Sequence, residues 1–127
     1  MVLILLSKDM RKIFLVEDDQ AIREVLEVFL TSENYSVQSF GNVQEFKARD
    51  TTIIPDLYLF DVMLPDGSGI DLCKQIKNND DNDGVPVIIM SAHAKLSQLS
   101  ELCEPDDFIT KPFDIDNLLS RINKFVF

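Results

Sequence analysis

Histidine, cysteine, glycine and basic residues are all scarce in this chain. It has one histidine, two cysteines, four glycines and 12 Lys plus Arg in 127 residues. His93 stands alone and is badly spaced from Cys73 and Cys103, which form no C-x-x-C pair, so a zinc centre is excluded. No Ser elbow occurs, so His93 is not the base of a Ser triad either. The two cysteines fall on apolar helix faces and read as small buried hydrophobes. No disulfide is expected, which points to a reducing cytoplasm. Acidic residues number 22, and the net charge of −10 opposes nonspecific binding to nucleic acid or anionic membranes. Long apolar runs are missing as well. Val2–Leu6 is too short for a signal peptide or a membrane span. Linkers, repeats and low-complexity tracts are absent, so one domain is expected over 11–127. Residues 1–10 read as an N-terminal extension.

What is present is a packed core, since 46% of residues are hydrophobic. Lys12–Val16 is a mostly apolar, β-branched run that stops at Glu17-Asp18-Asp19. Ala21–Thr31 carries Ile22, Val25, Leu26, Phe29 and Leu30 at helical spacing, with Asp19 placed as the cap. Tyr35–Phe40 alternates as a strand, and Val43–Arg49 makes a short helix. Leu57–Phe60 is a strand buried on both faces, bounded by Pro55 and by Pro65, Gly67 and Gly69. Ser68 or Gly69 opens a helix with Ile70, Leu72, Cys73 and Ile76 inward. Asn78–Gly84 reads as a polar surface loop. Pro86–Met90 is a fourth strand. Leu96, Leu99 and Leu102 suggest a short fourth helix. Phe108–Thr110 is a brief fifth strand. Asp114 caps a last helix whose core positions are Ile115, Leu118, Leu119, Ile122, Phe125 and Val126. Five strand–helix alternations give an α/β fold, a doubly wound (βα)5 parallel sheet in a three-layer α/β/α sandwich.

In such a sheet the carboxyl ends of the strands open on one edge, where ligands and chemistry collect. The first strand delivers Glu17 and Asp18 there, the third Asp61, the fourth Ser91, and the fifth is followed by Lys111. Three carboxylates repel one another unless a cation joins them. Oxygen donors suit a hard ion, Mg²⁺ first and Mn²⁺ as the alternative. Glu17, Asp18 and Asp61 sum to −3, whereas Mg²⁺ and Lys111 sum to +3. A neutral cluster of this kind is poised for an anion, and phosphoryl is the anion that Mg²⁺, Lys and a hydroxyl usually accompany.

Four segments carry a resemblance. They are Leu15-Val16-Glu17-Asp18-Asp19, Phe60-Asp61-Val62-Met63-Leu64-Pro65-Asp66-Gly67-Ser68-Gly69, Ile89-Met90-Ser91-Ala92 and Thr110-Lys111-Pro112-Phe113. Together, in this order, they resemble the receiver domain of bacterial two-component response regulators, with its flavodoxin-like strand order 2-1-3-4-5. The resemblance implies Asp61 as phosphoacceptor and Lys111 as the lysine that pairs with it. It implies Asp18 as direct metal ligand, Glu17 as the second acid and the Met63 carbonyl as backbone ligand. Ser91 with Ala92 matches the switch hydroxyl, Phe108 the switch aromatic, and Lys111–Pro112 the family's cis peptide. The implied partners are a histidine kinase or histidine phosphotransfer protein and a downstream effector, with a homodimer allowed. The chain departs from the family between Ser91 and Lys111, which is shorter than usual. Cys103-Glu104-Pro105-Asp106-Asp107 also replaces the usual Gly-Ala-Asp.

Three functions compete. A stand-alone receiver without an output domain acts by phosphoryl uptake and protein contacts, and is not a turnover enzyme. An aspartyl-nucleophile phosphatase of the haloacid-dehalogenase kind needs an acid two positions after the nucleophile, where Met63 stands. A degenerate receiver would show a damaged pocket, whereas these residues form a complete set. His93 and the Met63 side chain are further expected to flank the phosphoryl group and tune its hydrolysis.

Overall fold

The computed structural model describes residues 10–92 and 103–126. Expectations for the extension before Met10, for His93 and for the helix through Leu96, Leu99 and Leu102 lie outside the described residues. The element order is β1 (Arg11–Val16), α1 (Gln20–Ser32), β2 (Tyr35–Phe40), α2 (Val43–Lys47), β3 (Leu57–Asp61), α3 (Gly69–Lys77), β4 (Val87–Ser91), β5 (Asp107–Thr110) and α4 (Ile115–Phe125). The strands pair in the order β2-β1-β3-β4-β5, all parallel, as expected. Among the described residues no helix is long and apolar enough to cross a membrane.

Strand side chains alternate between two cores because successive Cβ atoms point to opposite faces. Phe14, Val16, Tyr58, Phe60, Val87 and Ile89 face α2 and α3, meeting Phe46, Ile70, Cys73 and Ile76. Ile13, Leu15, Leu57, Leu59, Ile88 and Met90 face α1 and α4, meeting Leu26, Leu30, Leu118 and Ile122. The first core is aromatic. Phe46 touches Phe40, Tyr58 and Phe60 edge-to-face, the favoured aromatic arrangement. Side-chain caps start the helices: Asp19, Asn42, Ser68 and Asp114 each accept a backbone N–H of the first turn.

Four expectations need correction. Val25 is 55% exposed, because α1 buries a narrower arc than its apolar stripe spans. Phe125 is 38% exposed, whereas Leu118, Ile122 and Val126 turn into the core. The Asn78–Gly84 loop is not wholly superficial. It holds a 3₁₀ turn at Asp80–Asn82, and buried Asn82 accepts the Tyr58 hydroxyl. Finally, Cys73 and Cys103 form a disulfide, with Cα atoms 6.2 Å apart. The inward face of α3 carries Cys73 against the segment that leads into β5, so two residues read as separate hydrophobes meet.

Candidate functional site

Sheet register builds the site. Val16 lies opposite Phe60, Asp61 opposite Met90 and Ser91 opposite Thr110. The residues that follow, or end, these strands therefore share one edge. Glu17 continues β1 and donates its N–H to Phe40 O at 3.0 Å. Val62, just past Asp61, donates to Met90 O at 3.0 Å, and Lys111 N–H donates to Ser91 O at 2.7 Å. Backbone bonds thus hold the edge level before any side chain is considered.

Lys111 joins the acids. Its Nζ donates to Glu17 Oε1 at 2.6 Å and to Asp61 Oδ2 at 3.1 Å. The other Glu17 oxygen accepts the Asp19 N–H at 3.1 Å. Glu17 is fully buried, and Asp61 and Lys111 are mostly so. Burial pushes the Glu17 carboxyl above its usual range; the Lys111 hydrogen bond opposes this and the Asp61 charge adds to it. Burial alone would pull the Lys111 amine down. The bonds to Glu17 and Asp61, with their charges, outweigh it and leave the amine above an ordinary lysine.

Carboxylate oxygens of Glu17, Asp18 and Asp61 lie within 4.8 Å of one another. They line a cavity of about 280 Å³ with Asp19, Ile22, Val62, Met63, Ala92 and Lys111. Three carboxylates and one ammonium leave two negative charges. The donor set is all oxygen, so it fits a hard divalent cation. Asp18 is exposed, whereas both Glu17 oxygens already accept hydrogen bonds.

The other expected residues are placed as follows. Ser91 is buried at the end of β4, and Ala92 is exposed at the cavity wall. Lys111–Pro112 is cis. Pro112 lines a neighbouring apolar cavity of about 540 Å³ rather than the acidic one. Phe108 lies back along β5, half-buried against the aromatic core, away from the carboxylates. The Met63 side chain is 63% exposed.

Three supporting residues escaped the sequence reading. Arg23 Nη1 donates to Glu17 O at 2.7 Å and so anchors the end of β1 from α1. Asp66 accepts Val43 N–H at 2.8 Å and Gln44 N–H at 2.9 Å. It thereby pins the loop after Asp61 to α2. That loop closes on itself, Met63–Leu64 pairing antiparallel with Gly67–Ser68. At Gly69 a Cβ would stand 2.0 Å from the Asp61 carbonyl oxygen, so only glycine lets α3 start this close. The neighbouring turn chemistry was visible in sequence, but the close approach was not.

A family model described as "Response regulator receiver domain" matches residues 13–123. The response regulator ArlR of Staphylococcus epidermidis is 38% identical over 117 residues, which is 89% of this chain and 51% of that protein. This chain spans about half the length of the curated relatives it matches. Among solved structures, a CheY-like receiver domain protein of Methanospirillum hungatei is 30% identical with a TM-score of 0.80, covering 91% of this chain and 92% of that one. The response regulator TrrA of Thermotoga maritima, solved in complex with Mg²⁺-BeF, shares the fold at 24% identity. Its TM-score is 0.80, and the match covers 92% of this chain and 100% of that one.

Proposed function

This chain belongs to the response regulator receiver domain family of two-component systems, and on that premise we propose that Asp61 is its phosphoacceptor. The observation that carries the reading is the Lys111 amine, seated 3.1 Å from Asp61 and 2.6 Å from Glu17. In the proposed reaction an Asp61 carboxylate oxygen attacks the phosphorus of a phosphohistidine on a histidine kinase or phosphotransfer protein. The P–N bond breaks, a P–O bond forms, and the imidazole leaves with a proton. Lys111 holds a transferring oxygen and offsets its charge.

Asp18, Glu17, Asp61 and the Met63 carbonyl would hold Mg²⁺, or Mn²⁺ in its place. The three clustered carboxylates, all hard oxygen donors, support that assignment. When bound, the ion neutralises the oxygens in transfer. The engaged oxygens of Glu17 favour Asp18 as the direct ligand. Ser91 and Ala92, at the end of the neighbouring strand, would receive a phosphoryl oxygen. Phe108 and Pro112 would follow the movement of that edge and alter protein contacts. Val25 is exposed and lines the apolar cavity that shares Ile22, Ala92 and Lys111 with the acidic one, a surface that suits a protein donor.

The domain takes up and slowly loses its own phosphoryl group rather than turning over substrate. Met63, an apolar residue, stands where an aspartyl-nucleophile hydrolase needs its general acid. Family phosphotransfer of this kind runs in the cytoplasm, where we place the chain. The test is incubation with Mg²⁺ and acetyl phosphate. A gain of one phosphoryl mass, abolished in Asp61→Asn, is expected. Equal gain in Asp61→Asn would refute the assignment.

A further inference from the structure

The Cys73–Cys103 bond joins two elements on which the pocket depends. α3, which carries Cys73, starts directly behind the Asp61 carbonyl. Cys103 stands in the segment that leads into β5, and Lys111 follows β5. A second tie joins the same two segments: Lys77 Nζ, at the end of α3, donates to Asp106 Oδ2 at 2.6 Å. Asp106 also accepts Val87 N–H at 2.7 Å. Where thiols are kept reduced, a disulfide is usually transient or redox-sensing rather than structural. A bond placed here and a cytoplasmic phosphotransfer reaction are compatible if the bond opens and closes.

We propose that Cys73 and Cys103 form a reversible thiol–disulfide site, exchanged by small-molecule or protein thiols, whose state is coupled to the loading of the Asp61 pocket. The coupling rests on the phosphoacceptor reading above. Both cysteines are buried, Cys103 less completely at 6% exposure against none for Cys73, so exchange starts at Cys103 when that segment opens. An external thiolate attacks the Cys103 sulfur, the S–S bond breaks, and Cys73 leaves as thiolate and takes a proton. A second external thiol releases Cys103 as a thiol and departs in a disulfide with the first. Two electrons and two protons pass from the external pair, and an external disulfide reverses the sequence. The closed bond restrains the approach to β5. Loading that shifts Lys111, and β5 with it, works against this restraint and therefore favours the dithiol. Linkage makes the effect mutual, so the oxidised form binds the phosphoryl mimic more weakly by the same factor.

The experiment uses the whole chain in glutathione buffers of graded GSH²/GSSG ratio, with Mg²⁺, with and without beryllofluoride. Alkylation and mass measurement give the oxidised fraction, while ¹⁹F NMR gives beryllofluoride uptake in the same samples. Beryllofluoride is expected to move the redox midpoint towards the dithiol about fivefold or more, the lower end of ordinary coupling. Cys103→Ser should bind beryllofluoride as the reduced native chain does. An unmoved midpoint with beryllofluoride bound would overturn the proposal. So would a pair that never leaves one redox state across the series. Absence of uptake in both redox states would remove the phosphoacceptor reading and the coupling together, and the ¹⁹F signal separates that result from an unmoved midpoint.

Discussion

Replacing Lys111 with methionine keeps the length of the side chain and removes its charge. In the native pocket the amine lies 2.6 Å from Glu17 and 3.1 Å from Asp61. At an effective dielectric of about 20, those separations give gross attractions of roughly 6 and 5 kcal/mol. The cost of drying the ammonium cancels much of that sum. Removing one partner of a buried pair still costs about 3–5 kcal/mol, because the remaining charges stay uncompensated. Lys111→Met should therefore lose about 3 kcal/mol in urea unfolding at neutral pH with EDTA present. Glu17 makes the reasoning sharper. It is fully buried and is the nearer partner. Once Glu17→Gln has removed that charge, Lys111→Met should cost less, leaving the double variant about 1–3 kcal/mol more stable than the sum of the single losses predicts. Strict additivity within about 0.5 kcal/mol, or an unchanged Lys111→Met midpoint, would refute the view that Lys111 offsets the buried charge of Glu17 and Asp61.

Reduction of the Cys73–Cys103 bond opens a loop whose ends are 30 residues apart. Chain entropy assigns that loop about 3.6 kcal/mol, so dithiothreitol should lower the urea midpoint clearly, and coincident curves would contradict the bond. Asp66 has its pKa lowered, chiefly by the Val43 N–H bond. A depressed carboxyl contributes stability above its unfolded value of about 3.9 and loses it as pH falls through the folded value. Asp66→Asn should accordingly flatten acid unfolding below about pH 4; an unchanged acid limb would exclude the clamp. Gly69→Ala drives a methyl group into the Asp61 carbonyl. A loss of at least about 1–3 kcal/mol is expected, together with slower uptake from acetyl phosphate, and native behaviour on both counts would count against the close approach.

The edge that gathers the acids was legible because each strand changes character abruptly. Val16 gives way to Glu17, Phe60 to Asp61, and Met90 to Ser91. In a parallel sheet such breaks fall near one level, and the register sets Glu17 level with Asp61 and Ser91 one residue beyond. Residues whose partners are distant were not legible. Asp66 binds backbone groups more than twenty positions upstream, and nothing in its own neighbourhood distinguishes that from a turn. Cys73 sits where a buried hydrophobe belongs, so burial was foreseen and pairing was not. Val25 repeats at helical spacing, but the width of the buried arc is set by neighbouring elements rather than by period.

The absence of clearance between Gly69 and the Asp61 carbonyl has a directional consequence. On that side the Asp61 peptide backs against the start of α3 as a post, since the space at Gly69 would not admit even a methyl group. On the phosphoacceptor reading, charge added to the Asp61 side chain would be accommodated sideways, along the row of strand termini that leads through Ser91 to Lys111. Amide exchange over Ile70–Leu72 should hold steady on loading while that of Thr110 changes, and the reverse pattern would show the post giving way.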